Sequence, residues 1–266
     1  MSEAEEKGIS RLPQNEMNDI KHVIAVMSGK GGVGKSSIAA LLALEASKAG
    51  YTVGVMDADI TGPSIPKMFG LSRRADSAEF GIIAPKTKSG IRVMSLNLLL
   101  DREDDPVIWR GPLIASAVRQ FWTDVIWGDL DYLIVDLPPG TGDAPLTVMQ
   151  SLPVEGVVIV SSPQNLAVMV VRKAIRMVQQ MNVRVLGVVE NMSFIACPRC
   201  GEKIYPFGEP SGRELADLSG AEYLGSLPFD PKFAKACDDG LVEDYRGDMT
   251  LDFARVISNC SSEHCS

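Results

Sequence analysis

The sequence contains no apolar run near the roughly 20 residues that a membrane-spanning helix needs. Its opening stretch, MSEAEEKGISRLPQNEMNDIK, lacks the apolar core of a secretory leader. It reads as a polar, flexible leader over 1–20, and the protein is expected in the cytoplasm. Basic charge is in deficit: 26 Lys and Arg face 34 Asp and Glu, a formal net charge of -8. That balance argues against a broad electrostatic grip on nucleic acid, while leaving room for a local basic patch. Cysteine is sparse and odd in number, five in 266 residues. In a reducing compartment this is no disulfide framework, and metal, cluster or plain packing remain. Internal repeats and low-complexity tracts are absent. What the chain does have is apolar mass, 45% of its residues, ample for one large core.

Val- and Ile-rich runs at 22–28, 52–58, 91–96, 132–138, 156–162 and 184–191 predict buried strands. They are continuously apolar, as in a parallel sheet covered on both faces. Helices are expected from Ser36 to a cap at Gly50, over 113–127 and over 165–181. The alternation implies an α/β fold: a doubly wound, mostly parallel sheet flanked by helices, with ligands at the carboxyl ends of its strands. A single domain over 21–260 and a tail over 261–266 follow. Met169, Met177 and Met181 are expected to fill gaps in the core.

One loop carries chemistry. Gly29, Lys30, Gly31, Gly32, Val33, Gly34, Lys35 and Ser36, followed by Ser37, fit G-x-x-x-x-G-K-[ST] between a strand and a helix. Glycines let backbone N–H groups turn toward phosphate oxygens, and the helix N-terminus adds partial positive charge. Lys35 is expected on the β- and γ-phosphates and the Ser36 hydroxyl on Mg²⁺. Asp136 ends the strand YLIVD, where a carboxylate near Mg²⁺ belongs. In the following DLPPGTGD, Gly140 is placed to offer its N–H to a γ-phosphate. Asp57 and Asp59 follow another strand, one to orient a water and the other to sense Mg²⁺. Lys30 is surplus to a single phosphate site. In a face-to-face homodimer it would reach the partner's phosphates, as an arginine finger does in trans.

ACPRCG places Cys197 and Cys200 in a C-x-x-C turn, half of the four-thiolate set that common Fe–S clusters use. A two-fold axis would double it and give a bridging [4Fe–4S] cluster. Zn²⁺ on the same sulfurs, or within one chain with help from His264 and Cys265, is the alternative, and a redox pair is another. In the tail NCSSEHCS, Cys260, His264 and Cys265 are either auxiliary ligands or a frayed end. Cys237 is expected to pack.

Taken together, KGGVGKSS, DADITGPSIP, WRGP, DLPPGTGD, ENMSF and CPRCG resemble the Mrp/Nbp35 branch of the deviant Walker A, SIMIBI-class ATPases, over about residues 20–240. The resemblance implies a slow, ATP-hydrolysing homodimer that carries an iron–sulfur cluster to apo-proteins. It makes Lys30 the lysine acting across the dimer, Lys35 and Ser36 the loop ligands, Asp59 the water-orienting residue and Asp136 the start of a second switch. It also assigns Asn191 to the adenine edge and Pro228 to the base-contact loop. The four-cysteine N-terminal motif and the small N-terminal domain of some relatives do not occur in residues 1–21. A positioning ATPase of the MinD or ParA kind is the rival, but LDFARVISNC is poorly basic and the C-x-x-C would have no task there. A nitrogenase-type electron carrier lacks cysteines at its expected places.

Overall fold

The computed structural model describes residues 13–59, 62, 64–99 and 111–260, without the side chains of 111–114 and 165–168. The elements are β1 (Asp19–Ser28), α1 (Lys35–Lys48), β2 (Val53–Asp57), α2 (Ile65–Met68), β3 (Ser77–Ala78), β4 (Gly81–Ile83) and β5 (Arg92–Ser95). Then come α3 (Gly111–Thr123), β6 (Val125–Ile126), β7 (Asp129–Asp136), α4 (Asp143–Ser151), β8 (Gly156–Ser161) and α5 (Asn165–Gln180). The chain continues through β9 (Arg184–Ala196), β10 (Lys203–Ile204), α6 (Gly212–Ser219), β11 (Tyr223–Pro228), α7 (Pro231–Asp238) and α8 (Phe253–Cys260).

Seven strands run in the order β10-β9-β8-β1-β7-β2-β5, and an eighth, β11, pairs with β9. All pairings are parallel except β10 with β9. The six apolar runs become β1, β2, β5, β7, β8 and β9, as expected of strands covered on both faces. In β2 and β8 every residue is buried. Helix α1 is buried almost all round, Ile38 to Leu44 without a break, so it lies inside the molecule rather than on its surface.

Four features depart from the expectations. The leader is not loose throughout: Gln14, Asn15 and Asn18 bond to the carbonyls of Ile20, Thr123 and Val125, and Trp127 N–H donates to Asn18 at 2.7 Å. The ordered body therefore begins before residue 20. The helix expected over 113–127 stops at Thr123, because Val125 and Ile126 turn into β6 and pair with β4 in a small three-stranded sheet. Met169 is 58% exposed and fills no gap, whereas Met177 and Met181 pack partly against the core. Finally, β9 runs past residue 191 to Ala196 and carries the C-x-x-C at its end. Cys237 is buried, and burial raises its thiol to about 11, so it packs as expected. Residues 1–12, the tail with His264 and Cys265, and parts of DADITGPSIP and WRGP lie outside the described residues. Among the described residues no helix is long and apolar enough to cross a membrane.

Candidate functional site

The register of the sheet builds the site. Adjacent parallel strands pair Val26 with Asp136 and Asp57 with Asp136, so β1, β7 and β2 end at one level. A cleft of about 300 Å³ opens there, lined among others by Gly31, Gly34, Lys35, Ser36, Asp59 and Pro139. It lies at the carboxyl ends of the strands, as the fold class requires. A second hollow of about 440 Å³, around Pro13–Met17, Phe80 and Thr123, offers no comparable constellation of charged groups.

The loop leaves β1 at Ser28 and enters α1 through Gly34, whose φ of 80° is left-handed. No side chain caps α1 and its first turn holds no acid, so its N-terminal donors face the cleft without a competing carboxylate. A Cβ on Gly34 would sit 2.2 Å from Asn191 Nδ2, and one on Gly29 2.9 Å from the Val170 backbone. Both positions require glycine. Gly32 also has a left-handed φ of 78°, while Val33 is buried.

Lys35 is 6% exposed and forms an ion pair with Asp136 at 2.6 Å; Asp59 lies 3.7 Å away. Ser36 Oγ donates to the other Asp136 oxygen at 2.5 Å. Asp57 accepts from the N–H groups of Asp59 and Ile65. Burial, followed by the neighbouring Asp136 charge, raises Asp57 to about 8, and burial also raises Asp136. Three carboxylates thus share one buried lysine. Their oxygens, with a hydroxyl beside them, make a donor set that suits a divalent cation.

Asn191, 3% exposed on β9, donates from Nδ2 to Val33 O at 2.9 Å. Its Oδ1 is buried and finds no donor among the described residues. Gly140 N–H is engaged by Ser28 O at 3.0 Å in this structure, so serving a phosphate there requires its turn to rotate. Pro228 ends β11 and pairs with Phe194. Lys30 is not among the residues lining the cleft and bonds Gln164, just before α5.

The cysteines sit in a hairpin. Residues 195 and 196 of β9 pair antiparallel with β10, and Cys197 N–H donates to Glu202 O at 2.8 Å. The N–H groups of Arg199 and Cys200 donate to Cys197 sulfur and hold its thiol below the usual range, favouring the thiolate that binds metal. Cys200 is exposed, and Ile195, Ile204, Tyr205 and Phe207 expose apolar surface in the same segment.

Two residues were not found by sequence reading. Glu190 is fully buried, yet accepts from Ser193 Oγ at 3.0 Å and Ser211 N–H at 2.8 Å, fixing β9 beside Asn191. A lone acid inside an apolar strand was the available signal. Gln164, the partner of Lys30, had none.

This geometry agrees with relatives of the chain. The family model described as ParA, NUBPL iron-transfer P-loop NTPase matches residues 19–259. The chain belongs to this family. It is 47% identical to the iron-sulfur cluster carrier protein of Clostridium perfringens, covering 88% of this chain and 84% of that one. It is 41% identical to the cytosolic Fe-S cluster assembly factor CFD1 of Kluyveromyces lactis, over 93% of each. A nucleotide-binding protein of Archaeoglobus fulgidus solved with ADP superposes with a TM-score of 0.78 at 49% identity, covering 86% of this chain and 90% of that one. MinD of Aquifex aeolicus, 20% identical with a TM-score of 0.58 over 90% of this chain and 94% of its own, shares the fold alone. The family thus supports the Mrp/Nbp35 resemblance and the P-loop NTPase fold.

Proposed function

We propose that this chain, as one ATPase unit over 21–260, is an ATP-dependent iron–sulfur cluster carrier of the cytoplasm. Two copies hold one [4Fe–4S] cluster on paired Cys197 and Cys200 and pass it to apo-proteins. The observation that carries this reading is strand β9. One strand holds Asn191 against the phosphate loop and, six residues later, the exposed cysteine turn whose N–H groups favour a thiolate. The names of the curated relatives support the cargo.

At the cleft, Ser36, with Asp136 behind it, would hold Mg²⁺, which when bound neutralises phosphate charge. Lys35 exchanges its Asp136 partner for the β- and γ-phosphates. Asp59 orients a water whose oxygen attacks the γ-phosphorus as the bond to the β-phosphate oxygen breaks, releasing ADP. The orphaned Asn191 Oδ1 accepts a hydrogen bond, which matches the exocyclic amine of adenine, while one N–H of Nδ2 is held by Val33 O. Pro228 lies on the base side. Gly29 to Ser37 cradle the phosphates, Asp57 senses the cation from behind Asp59, and Gly140 swings to the γ-phosphate. Lys30 crosses to the partner's nucleotide. Turnover is slow because closing and opening of the dimer limit it.

The test is transfer. Anaerobically reconstituted protein is mixed with a cluster-free hydro-lyase that needs [4Fe–4S], and recovery of lyase activity is followed. The wild type restores it and the Cys197→Ala/Cys200→Ala variant does not. Equal recovery with both proteins contradicts the proposal.

A further inference from the structure

A second constellation lies at the opposite end of the sheet from the cleft, where β1 and β8 begin. His22 on β1 places Nδ1 2.9 Å from Oε2 of Glu155, the residue before β8. Cys260 Sγ, at the end of α8, lies 3.5 Å from that same oxygen. One ligand atom from each residue falls within 4.8 Å of the others.

The fold holds all three in place. Glu155 N–H donates to Val23 O at 3.0 Å, locking it to β1. The His22 ring stacks on Tyr132 at 5.2 Å between centroids. Asn259, beside Cys260, donates to Leu186 O at 2.9 Å and so seats the end of α8 on the sheet. None of the three has a part in nucleotide or cluster chemistry as described above.

The donor chemistry is selective. An imidazole nitrogen, a carboxylate oxygen and a sulfur suit a borderline divalent metal, whereas Mg²⁺ and Ca²⁺ prefer oxygen alone. A neutral imidazole, one carboxylate and one thiolate together also balance a charge of two. The only other histidine of the chain, His264, and another cysteine, Cys265, follow within five residues along the sequence.

We propose that His22, Glu155 and Cys260 form a three-ligand Zn²⁺ site with water in the fourth position, tying α8 to the starts of β1 and β8. On binding, the Cys260 S–H bond breaks, its proton leaves to solvent and an S–Zn bond forms, with no change of oxidation state. His22 and Glu155 exchange their mutual hydrogen bond for the metal.

The test uses full-length Cys197→Ser/Cys200→Ser protein, which silences the hairpin thiols. Co²⁺ is titrated as a spectroscopic probe and then displaced with Zn²⁺. About one Co²⁺ per chain with thiolate-to-cobalt charge-transfer absorption is expected, and Zn²⁺ should abolish the band. Adding Cys260→Ser, or separately His22→Ala, should weaken binding about 100-fold or more, at or beyond what losing an outer-shell partner costs. His264→Ala/Cys265→Ser should keep the band. Absence of a thiolate band overturns the site, and so does a band that survives Cys260→Ser. A band lost with the tail variant but not with His22→Ala would place the metal elsewhere. Circular dichroism of each variant, unchanged from its parent, excludes misfolding as the cause.

Discussion

Asp57 and Asp136 stand on adjacent strands in direct register, both buried, with Lys35 as their shared cation. Folded Asp57 holds its proton to about pH 8 against an ordinary value of 3.8. Between those values the folded chain binds more protons than the unfolded one, so stability falls as pH rises through that window. Asp57→Asn removes the titration and should lose roughly 1–3 kcal/mol less than the wild type between pH 5 and 8, measured by urea denaturation without nucleotide or Mg²⁺. An identical decline in both proteins would show that Asp57 is ionised throughout. Lys35→Ala should abolish ATP turnover, and wild-type hydrolysis in that variant would remove Lys35 from the phosphate site. Lys35 and Ser36 were legible because the loop's spacing is local and its chemistry fixed, and Asp57 and Asp136 because each closes an apolar strand run. The bond from Asn191 to Val33, the hold of Ser28 on Gly140 and the Gln164 partner of Lys30 were not, since each joins segments that only the folded sheet brings together.

Strands buried on both faces announce themselves as apolar runs, and all six expected strands formed. Elements without that signature were missed. β3, β4, β6 and β10 are two or three residues long, too short for any period, and β11 is interrupted by Gly225 and ends on Pro228. Val125 and Ile126 continued the apolar pattern of α3, so only their pairing with β4 shows where the helix ends. The junction of loop and helix is the most exacting element. Gly34 combines a φ of 80° with a Cβ position 2.2 Å from Asn191. Gly34→Ala should therefore cost about 1–3 kcal/mol of stability and displace Asn191, weakening ATP binding more than the stability loss alone accounts for. Calorimetric unfolding and nucleotide titration on one preparation check this; unchanged ATP affinity would separate Asn191 from the base.

At the scale of the whole molecule, the proposed function leaves Lys30 and the cysteine turn each incomplete within one chain. The Lys30 ammonium bonds an exposed glutamine just before α5, and two cysteines are half the thiolate set of a common cluster. In the proposed carrier one two-fold assembly completes both, and the exposed apolar Ile195, Ile204, Tyr205 and Phe207 offer it a face to cover. Lys30→Ala should keep ATP affinity within a few-fold, while hydrolysis falls about 100-fold or more, as for a cation acting in trans. Normal hydrolysis would leave Lys30 without a role across the interface. The sequence suggested this assembly through two unexplained residue patterns, but a dimer axis leaves no periodicity of its own. The most direct measurement is iron, sulfide and zinc per chain on anaerobically reconstituted protein, with solution mass, for wild type and Cys197→Ala/Cys200→Ala. The account predicts about four iron and four sulfide per dimer, lost in the variant together with the dimer mass. Zinc alone at the hairpin, or iron unaffected by the substitutions, would contradict it.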